Sequence, residues 1–299
     1  MSSELGLVIR AAGGFYDVCL HRTQETHRCR LRGRLKQQKR RTDLIVIGDE
    51  VRVELGDEAT VEEIFERRTV FSRRHPGRGG EHKEDVLVAN LEVLFAVFAH
   101  GSPPFRPRLL DRFLVVAEHN NLEAVVIANK QDQRTDETNA LFAPYADLGY
   151  PIIETCATDG SELASLRAKL DGRIAAFVGP SGVGKSSLLN ALDETLALRV
   201  GALSESHGKG RHTTRVATLH TLAGGFIADT PGIRELGAWE LEPKDLDRCF
   251  VEMREFLGHC AFGDCVHHHE PRCAVKEQVG QAISEERYES YLRLLLPEE

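Results

Sequence analysis

Two stretches of this 299-residue chain carry residue types suited to holding a nucleotide. "GPSGVGKSS" (179–187) fits G-x-x-x-x-G-K-[ST], a loop whose glycines let backbone N–H groups curl around phosphate oxygens at a helix N-terminus. Lys185 is placed to reach the β- and γ-phosphates and Ser186 to hold Mg²⁺, with Gly179, Pro180, Ser181, Gly182, Val183, Gly184 and Ser187 completing the cradle. "NKQD" (Asn129, Lys130, Gln131, Asp132) suits a base instead. The Asp132 carboxylate can accept from guanine's N1–H and 2-amino group; adenine offers neither donor, and a buried unpaired carboxylate penalises ATP. Asn129 bonds guanine or braces the phosphate loop, and the Lys130 stem lies along the base plane. The order is the puzzle, because a base-reading N-K-x-D ordinarily follows the phosphate loop.

Both stretches end apolar strands, Ala124–Ile127 and Ile174–Val178, which is the context such loops need. "DTPG" (229–232) closes a third strand, putting Asp229 near the Mg²⁺ shell and the Gly232 amide near the γ-phosphate. Between them "GRHTTR" (210–215) supplies Thr213 and Thr214, either of which can ligate Mg²⁺ when γ-phosphate is present. Site geometry depends on position in a sheet and not on chain order, so a rotated order is consistent with one nucleotide site. We therefore read residues 86–237 as a circularly permuted α/β GTPase domain with a mostly parallel sheet. A Gln after D-x-x-G orients the attacking water in Ras-like enzymes; here Ile233 stands there, so another group or a partner must do so. His212 is the nearest candidate in sequence.

The elements around this domain differ in texture. Residues 1–75 read as short strands: "GLVIRAAGGFYDVCL" around a Gly-Gly turn, then Ile45–Ile47, a Gly-Asp turn, and the alternating Val51–Leu55. They suit an OB-like β-barrel, or another small barrel without a nucleic-acid role. "SRRHPGRGGEHKED" (72–85) reads as a linker, with the boundary set at 76–85. Residues 238–299 read as a mostly helical module, ending in a helix over "AISEERYESYLRLLLPEE".

Net charge is −8, but residues 1–83 hold 17 Lys and Arg against 13 Asp and Glu, leaving −12 for the other 216 residues. Within "HRTQETHRCRLRGRLKQQKRR" (21–41) nine basic residues face one acid, Glu25, which suggests an N-terminal module turned toward a polyanion. No apolar run approaches the roughly 18 residues of a membrane span. The first residues lack a basic start and apolar core, so a cytoplasmic protein away from membranes is expected.

Seven cysteines include three crowded into "CAFGDCVHHHEPRC" (260–273), which reads as metal-binding. Cys260, Cys265, Cys273 and one histidine of the run 267–269 form a closed tetrahedral set suited to one structural Zn²⁺, with no position open for catalysis. Cys19, Cys29, Cys156 and Cys249 are isolated and read as buried thiols.

The motif order, "HTTR" and the cysteine cluster together resemble the RsgA (YjeQ) family of small-subunit-dependent GTPases, over essentially the whole chain. The resemblance implies GTP hydrolysis stimulated by the small (30S) ribosomal subunit, late subunit maturation with 16S rRNA as partner, and a monomer. It places "CATDG" (156–160) as the base-side loop, with Cys156 where the family has Ser and Ala157 beside it. It favours His267 as the zinc-ligating histidine and His212 as the water-orienting group. Two other classes stand beside this reading. A nucleotide-dependent small-molecule kinase or ligase needs a substrate pocket that no segment supplies. An RNA-binding protein with a decayed nucleotide site sits badly with an intact phosphate loop.

Overall fold

The computed structural model describes residues 2–36, 44–76, 82–193, 217–230, 233 and 243–296. The switch residues His212, Thr213 and Thr214, together with Gly232, lie outside the described residues. Two compact units are found, comprising 1–93, 163–177 and 186–235, and 94–162, 178–185 and 236–299.

In the first unit, strands β1 (Ser2–Ala12), β2 (Phe15–Leu20), β3 (Thr26–Leu31), β4 (Glu50–Leu55) and β5 (Thr60–Ile64) run in the order β1-β2-β3-β5-β4, and β4 returns to β1. That closure makes a five-stranded barrel with the OB-like form expected. Gly13 and Gly14, both at positive φ, turn β1 into β2. Alternation sends Val18, Leu20, Cys29, Leu31, Val51, Val53 and Val61 inward.

Two expectations for this unit are corrected. Ile45–Ile47 is buried but is no strand. Gly48 sits at φ +85°, where an added Cβ would lie 1.9 Å from the Ala89 carbonyl oxygen. The Asp49 carboxylate accepts from the Val46 N–H at 2.8 Å and from Arg67 at 2.7 and 2.8 Å, closing the segment as a turn. The stretch read as a linker instead contributes most of an antiparallel hairpin, β6 (Val70–Pro76) with β7 (His82–Ala89). The glycine and proline of "HPGRGG" (75–80) mask in sequence the strand pattern on either side, where Phe71, Val86 and Val88 are buried. Val46, Val86 and Ala89 pack together, so the Gly48 turn joins barrel to hairpin.

The same unit holds β11 (Ile174–Val178) up to Phe177, parallel to β13 (Gly225–Asp229), which pairs antiparallel with β12 (Thr218–Leu222). Arg10 of β1 lies opposite Thr218 of β12.

The second unit is built on β8 (Val93–Ala99, from Leu94), β9 (Glu123–Asn129) and β10 (Ile152–Thr155), side by side in that order. β9 and β10 are parallel, with Thr155 opposite Asn129. The long helix Pro107–His119, with Pro at its first position, buries Leu110, Phe113, Leu114 and Val116. Beyond residue 243 the expected helical module consists of short helical turns and one longer helix, Glu285–Leu295, capped by the Ser284 hydroxyl.

A buried charge network ties these two helices together. Arg287 donates to Asp111 at 2.6 Å and to Glu252 at 2.6 and 3.2 Å, Ser290 also bonds Asp111, and Tyr145 donates to Asp111 at 2.9 Å. Burial disfavours the charged guanidinium, yet hydrogen bonding to Glu252 and the Asp111 charge outweigh it and raise the Arg287 pKa. Removing one member strands the others without water. Arg287→Ala should cost about 3–5 kcal/mol, read as a lowered urea midpoint; a wild-type midpoint would show that the network contributes nothing.

Candidate functional site

The guanine-type and phosphate-type loops meet inside the second unit. Asn129, the last residue of β9, is 1% exposed, and its side-chain N–H donates to the Val183 carbonyl at 2.8 Å across 54 residues of chain. Its amide oxygen accepts from the Thr155 hydroxyl at 3.0 Å, which fixes the amide's orientation. Of the two expectations for Asn129, the structure has it bracing the phosphate loop. Lys130, in the left-handed region at φ +61°, donates to the carbonyls of Gly182 at 2.8 Å and Ser102 at 2.6 Å. Two bonds, Asn129 to Val183 and Lys130 to Gly182, therefore hold one loop against the other.

Glycine is required at two points of the phosphate loop by close approach. At Gly179, φ +145°, a Cβ would lie 2.1 Å from the Val97 carbonyl oxygen. At Gly184, φ +95°, it would meet the Asn129 amide nitrogen at 2.5 Å and displace the brace. Val183 is buried and Ser181 exposed. The Lys185 ammonium lies among its own loop's carbonyls, 2.7 Å from Gly179 O and 2.9 Å from Pro180 O. Lys185 opens the helix Lys185–Leu192, so that Ser186 and Ser187 fall in its first turn.

On the base side, Asp132 lies in a single turn of 3₁₀ helix, Gln131–Gln133. The Cys156 thiol lies 3.3 Å from an Asp132 carboxylate oxygen and 3.0 Å from the Thr158 hydroxyl. The "CATDG" segment, with half-buried Ala157, thus borders the carboxylate expected to read the base. Glu154 accepts from Gln131 at 3.3 Å and from Arg134 at 2.6 Å, tethering the same turn to β10.

Asp229 ends β13 in the first unit, where Ser186 also lies. Ile233 is 3% exposed, and its N–H donates to the Thr230 hydroxyl at 3.1 Å. A buried isoleucine cannot orient water.

The Cys/His set converges in the second unit. The Sγ atoms of Cys260, Cys265 and Cys273 and Nδ1 of His267 all lie within 4.8 Å of one another. For tetrahedral zinc with Zn–S near 2.3 Å and Zn–N near 2.05 Å, ligand edges should be about 3.8 Å for S···S and about 3.5 Å for S···N. The Cys260–Cys273 separation is 3.8 Å, and His267 Nδ1 lies 3.6, 3.5 and 3.3 Å from the three sulfurs. The donor set fits that ion. His267 Nε2 faces Asp247 at 3.4 Å, a carboxylate that sets the imidazole's tautomer. Against the penalty of burial, the Val266 and His268 N–H groups hold the Glu270 carboxyl down at about 2, shaping the ligand loop. Tyr288 and Tyr291 donate to the His267 and Val266 carbonyls, each at 2.7 Å.

The basic N-terminal stretch looks different once folded. Arg28 meets Asp17 at 3.0 Å, Arg30 meets Glu58 at 3.4 Å, Arg32 meets Glu54 at 3.4 Å and also Glu62, and Arg52 meets Glu63 at 3.0 Å. Acids from elsewhere in the barrel, on β2, β4, β5 and the β4–β5 connection, offset the local excess counted in sequence. Phe15, 39% exposed, carries the Arg30 guanidinium 5.0 Å and that of Arg28 5.9 Å from its ring centre.

Sequence reasoning did not single out Thr155, Asp247 or Phe15. A hydroxyl closing an otherwise apolar strand is a faint signal for Thr155; nothing local marks Asp247, twenty residues from its histidine.

The description "RsgA GTPase" belongs to a family model matching residues 64–239, and "RsgA N-terminal domain" to one matching 5–60. The chain belongs to the RsgA GTPase family. The small ribosomal subunit biogenesis GTPase RsgA of Gemmatimonas aurantiaca is 43% identical, covering 98% of this chain and 97% of the relative. Its namesake from Moorella thermoacetica is 39% identical, with 97% and 96% covered. Among solved structures, YjeQ from Thermotoga maritima superposes with a TM-score of 0.77 at 32% identity over all of both chains. YloQ, described as a circularly permuted GTPase, gives 0.75 at 29% identity, over 98% of this chain and 94% of that one. This RsgA-family chain is thus a GTP hydrolase, and the family implies GTP and Mg²⁺.

Two outcomes are expected. Asp132→Asn should narrow the GTP-over-ATP binding preference by about 1–3 kcal/mol; unchanged selectivity would make "NKQD" a bystander turn. The Cys/His geometry predicts one equivalent of zinc per chain, lost in Cys265→Ser, as measured by elemental analysis. Freshly purified protein without zinc would refute it.

Proposed function

We propose that this chain is a GTP-hydrolysing late assembly factor of the small (30S) ribosomal subunit, whose turnover the subunit stimulates and whose release follows hydrolysis. The observation that carries the reading is the Asn129 brace, which joins a guanine-type loop to a phosphate loop in rotated chain order. Its setting is full-length similarity to proteins named as small ribosomal subunit biogenesis GTPases.

In this reading Asp132 accepts from guanine, Lys130 supports the base, and Cys156 and Ala157 flank it. Lys185 and the amides of 179–187 meet the phosphates. Ser186, Asp229 and one of Thr213 and Thr214 hold Mg²⁺, which when bound neutralises charge developing on the transferred phosphoryl group. Buried Ile233 leaves the water-orienting task to His212, acting on the γ-phosphate when the subunit is bound. Residues 260–273 hold one structural zinc ion. The barrel meets 16S rRNA, with Phe15 as a stacking surface flanked by Arg28 and Arg30. The site of action is the cytoplasm, where subunits are assembled; among the described residues no helix is long and apolar enough to cross a membrane.

The test is GTP turnover with and without purified small subunits. Slow free turnover should rise on adding subunits, and the stimulation should fall with salt as docking-linked counterion release weakens. His212→Ala should abolish stimulated turnover and spare GTP binding. Normal stimulated turnover in that variant would remove His212 from the role, and no stimulation of the wild type would remove the assembly reading.

A further inference from the structure

The base-side turn is held at both of its ends by a residue that belongs to neither nucleotide loop. His100 directly follows β8 in the second unit and is fully buried. Its backbone N–H donates to the Asn129 carbonyl at 2.9 Å, at the start of the segment that carries Asp132. Its imidazole Nδ1 lies 3.1 Å from the Thr138 hydroxyl, at the end of that segment. Between these anchors the Ser102 carbonyl, two residues beyond His100, receives the Lys130 ammonium at 2.6 Å. The ring itself rests against Phe142, with centroids 5.1 Å apart.

The proton on this ring has one favourable position. Thr138 Oγ1 accepts from the Thr135 N–H at 2.9 Å and donates to the Thr135 carbonyl at 3.2 Å, which leaves it a lone pair for His100. His100 Nε2 has no hydrogen-bond partner among the described residues. A buried N–H without an acceptor is rarer than a buried acceptor without a donor, so the proton sits on Nδ1 and is donated to Thr138. A second proton, on Nε2, would be buried with nothing to receive it. Burial accordingly holds the His100 pKa below its ordinary value; Glu154 on β10 pulls it up, and Arg134, just beyond the turn, pushes it down. Those two charges pair with each other at 2.6 Å, so neither is left as a counter-ion for an imidazolium.

We propose that neutral His100 is a positioning residue for guanine recognition: by clamping Asn129 and Thr138 it fixes the turn on which Asp132 meets the base. It acts through the Asn129 backbone and the Thr138 hydroxyl, not on the nucleotide. The inference rests on Asp132 reading guanine, and on the clamp alone for its own chemistry. Protonation puts an uncompensated cation behind the turn. Guanine binding is therefore fully present above the ordinary imidazole pKa of about 6.5 and is lost as pH falls below it.

The experiment measures GTP and ATP affinities of the full chain by titration calorimetry, with folding checked by urea unfolding. His100→Leu should weaken GTP binding about tenfold and leave ATP binding unchanged. His100→Asn, whose amide nitrogen can stand in for Nδ1, should restore most of the GTP affinity. In a Thr138→Val background, His100→Leu should cost nothing further. Wild-type GTP affinity should be flat above about pH 6.5 and fall below it, while that of His100→Asn stays flat through the same range. Wild-type GTP affinity in His100→Leu, or equal losses for GTP and ATP, would overturn the proposal. So would a further loss of about tenfold in the Thr138→Val background, or an acid limb that persists unchanged in His100→Asn. If Asp132→Asn leaves the GTP-over-ATP preference unchanged, the base reading itself falls and the proposal with it. A preference narrowed by Asp132→Asn but untouched by His100→Leu removes the clamp alone.

Discussion

The Asn129 side chain is the constraint on which the nucleotide site depends. One amide joins three segments: the end of β9 through its own backbone, the phosphate loop through Val183, and β10 through Thr155. A single hydrogen bond contributes only about 0.5–1.5 kcal/mol net, but a buried amide left unpaired costs about 1–3 kcal/mol. The arrangement is therefore favoured less by what the bonds add than by what their loss would leave. Gly184 belongs to the same constraint, because any side chain there would occupy the Asn129 nitrogen's place. Chain order is immaterial to such a brace, which is how a rotated sequence still assembles its guanine-type and phosphate loops side by side.

A second constraint of the same kind organises the other end of that unit. Arg287, Asp111 and Glu252 exclude water and satisfy one another, fixing the terminal helix against Pro107–His119. Val115 of that helix packs in the same cluster as Cys249, Phe250, Cys273 and Tyr291. The Cys/His set and the helix leading into β9 consequently share a core. The barrel is secured similarly in its own unit, by Asp49 receiving Arg67 and the Val46 N–H beneath the Gly48 turn.

What could be read in the sequence was what local chemistry dictates. The phosphate loop announces itself because Gly179 and Gly184 adopt backbone angles and close approaches that other residues refuse. The zinc-type set does so because thiolate and imidazole spacing is tied to one ion's geometry. Barrel strands were legible from alternation, while Ile45–Ile47 misled because three β-prone residues are closed into a turn by Asp49 and the distant Arg67. The strands Val70–Pro76 and His82–Ala89 were hidden in sequence by the glycines at 77, 79 and 80 between them. The basic stretch misjudged its own field, since Asp17, Glu54, Glu58 and Glu62 arrive from elsewhere in the barrel. Thr155 and Asp247 matter only through partners far along the chain.

If the braced amide is what makes two loops one site, then the hydroxyl that orients it should be felt in nucleotide affinity although it stands behind Asn129 and not on the ligand. The direct measurement is GTP affinity in Thr155→Val and Thr155→Ser, with folding checked by urea unfolding. Valine keeps the shape and removes the donor, so GTP binding should weaken on the order of tenfold, while serine restores it. Equal GTP affinity in the valine variant and the wild type would contradict the account.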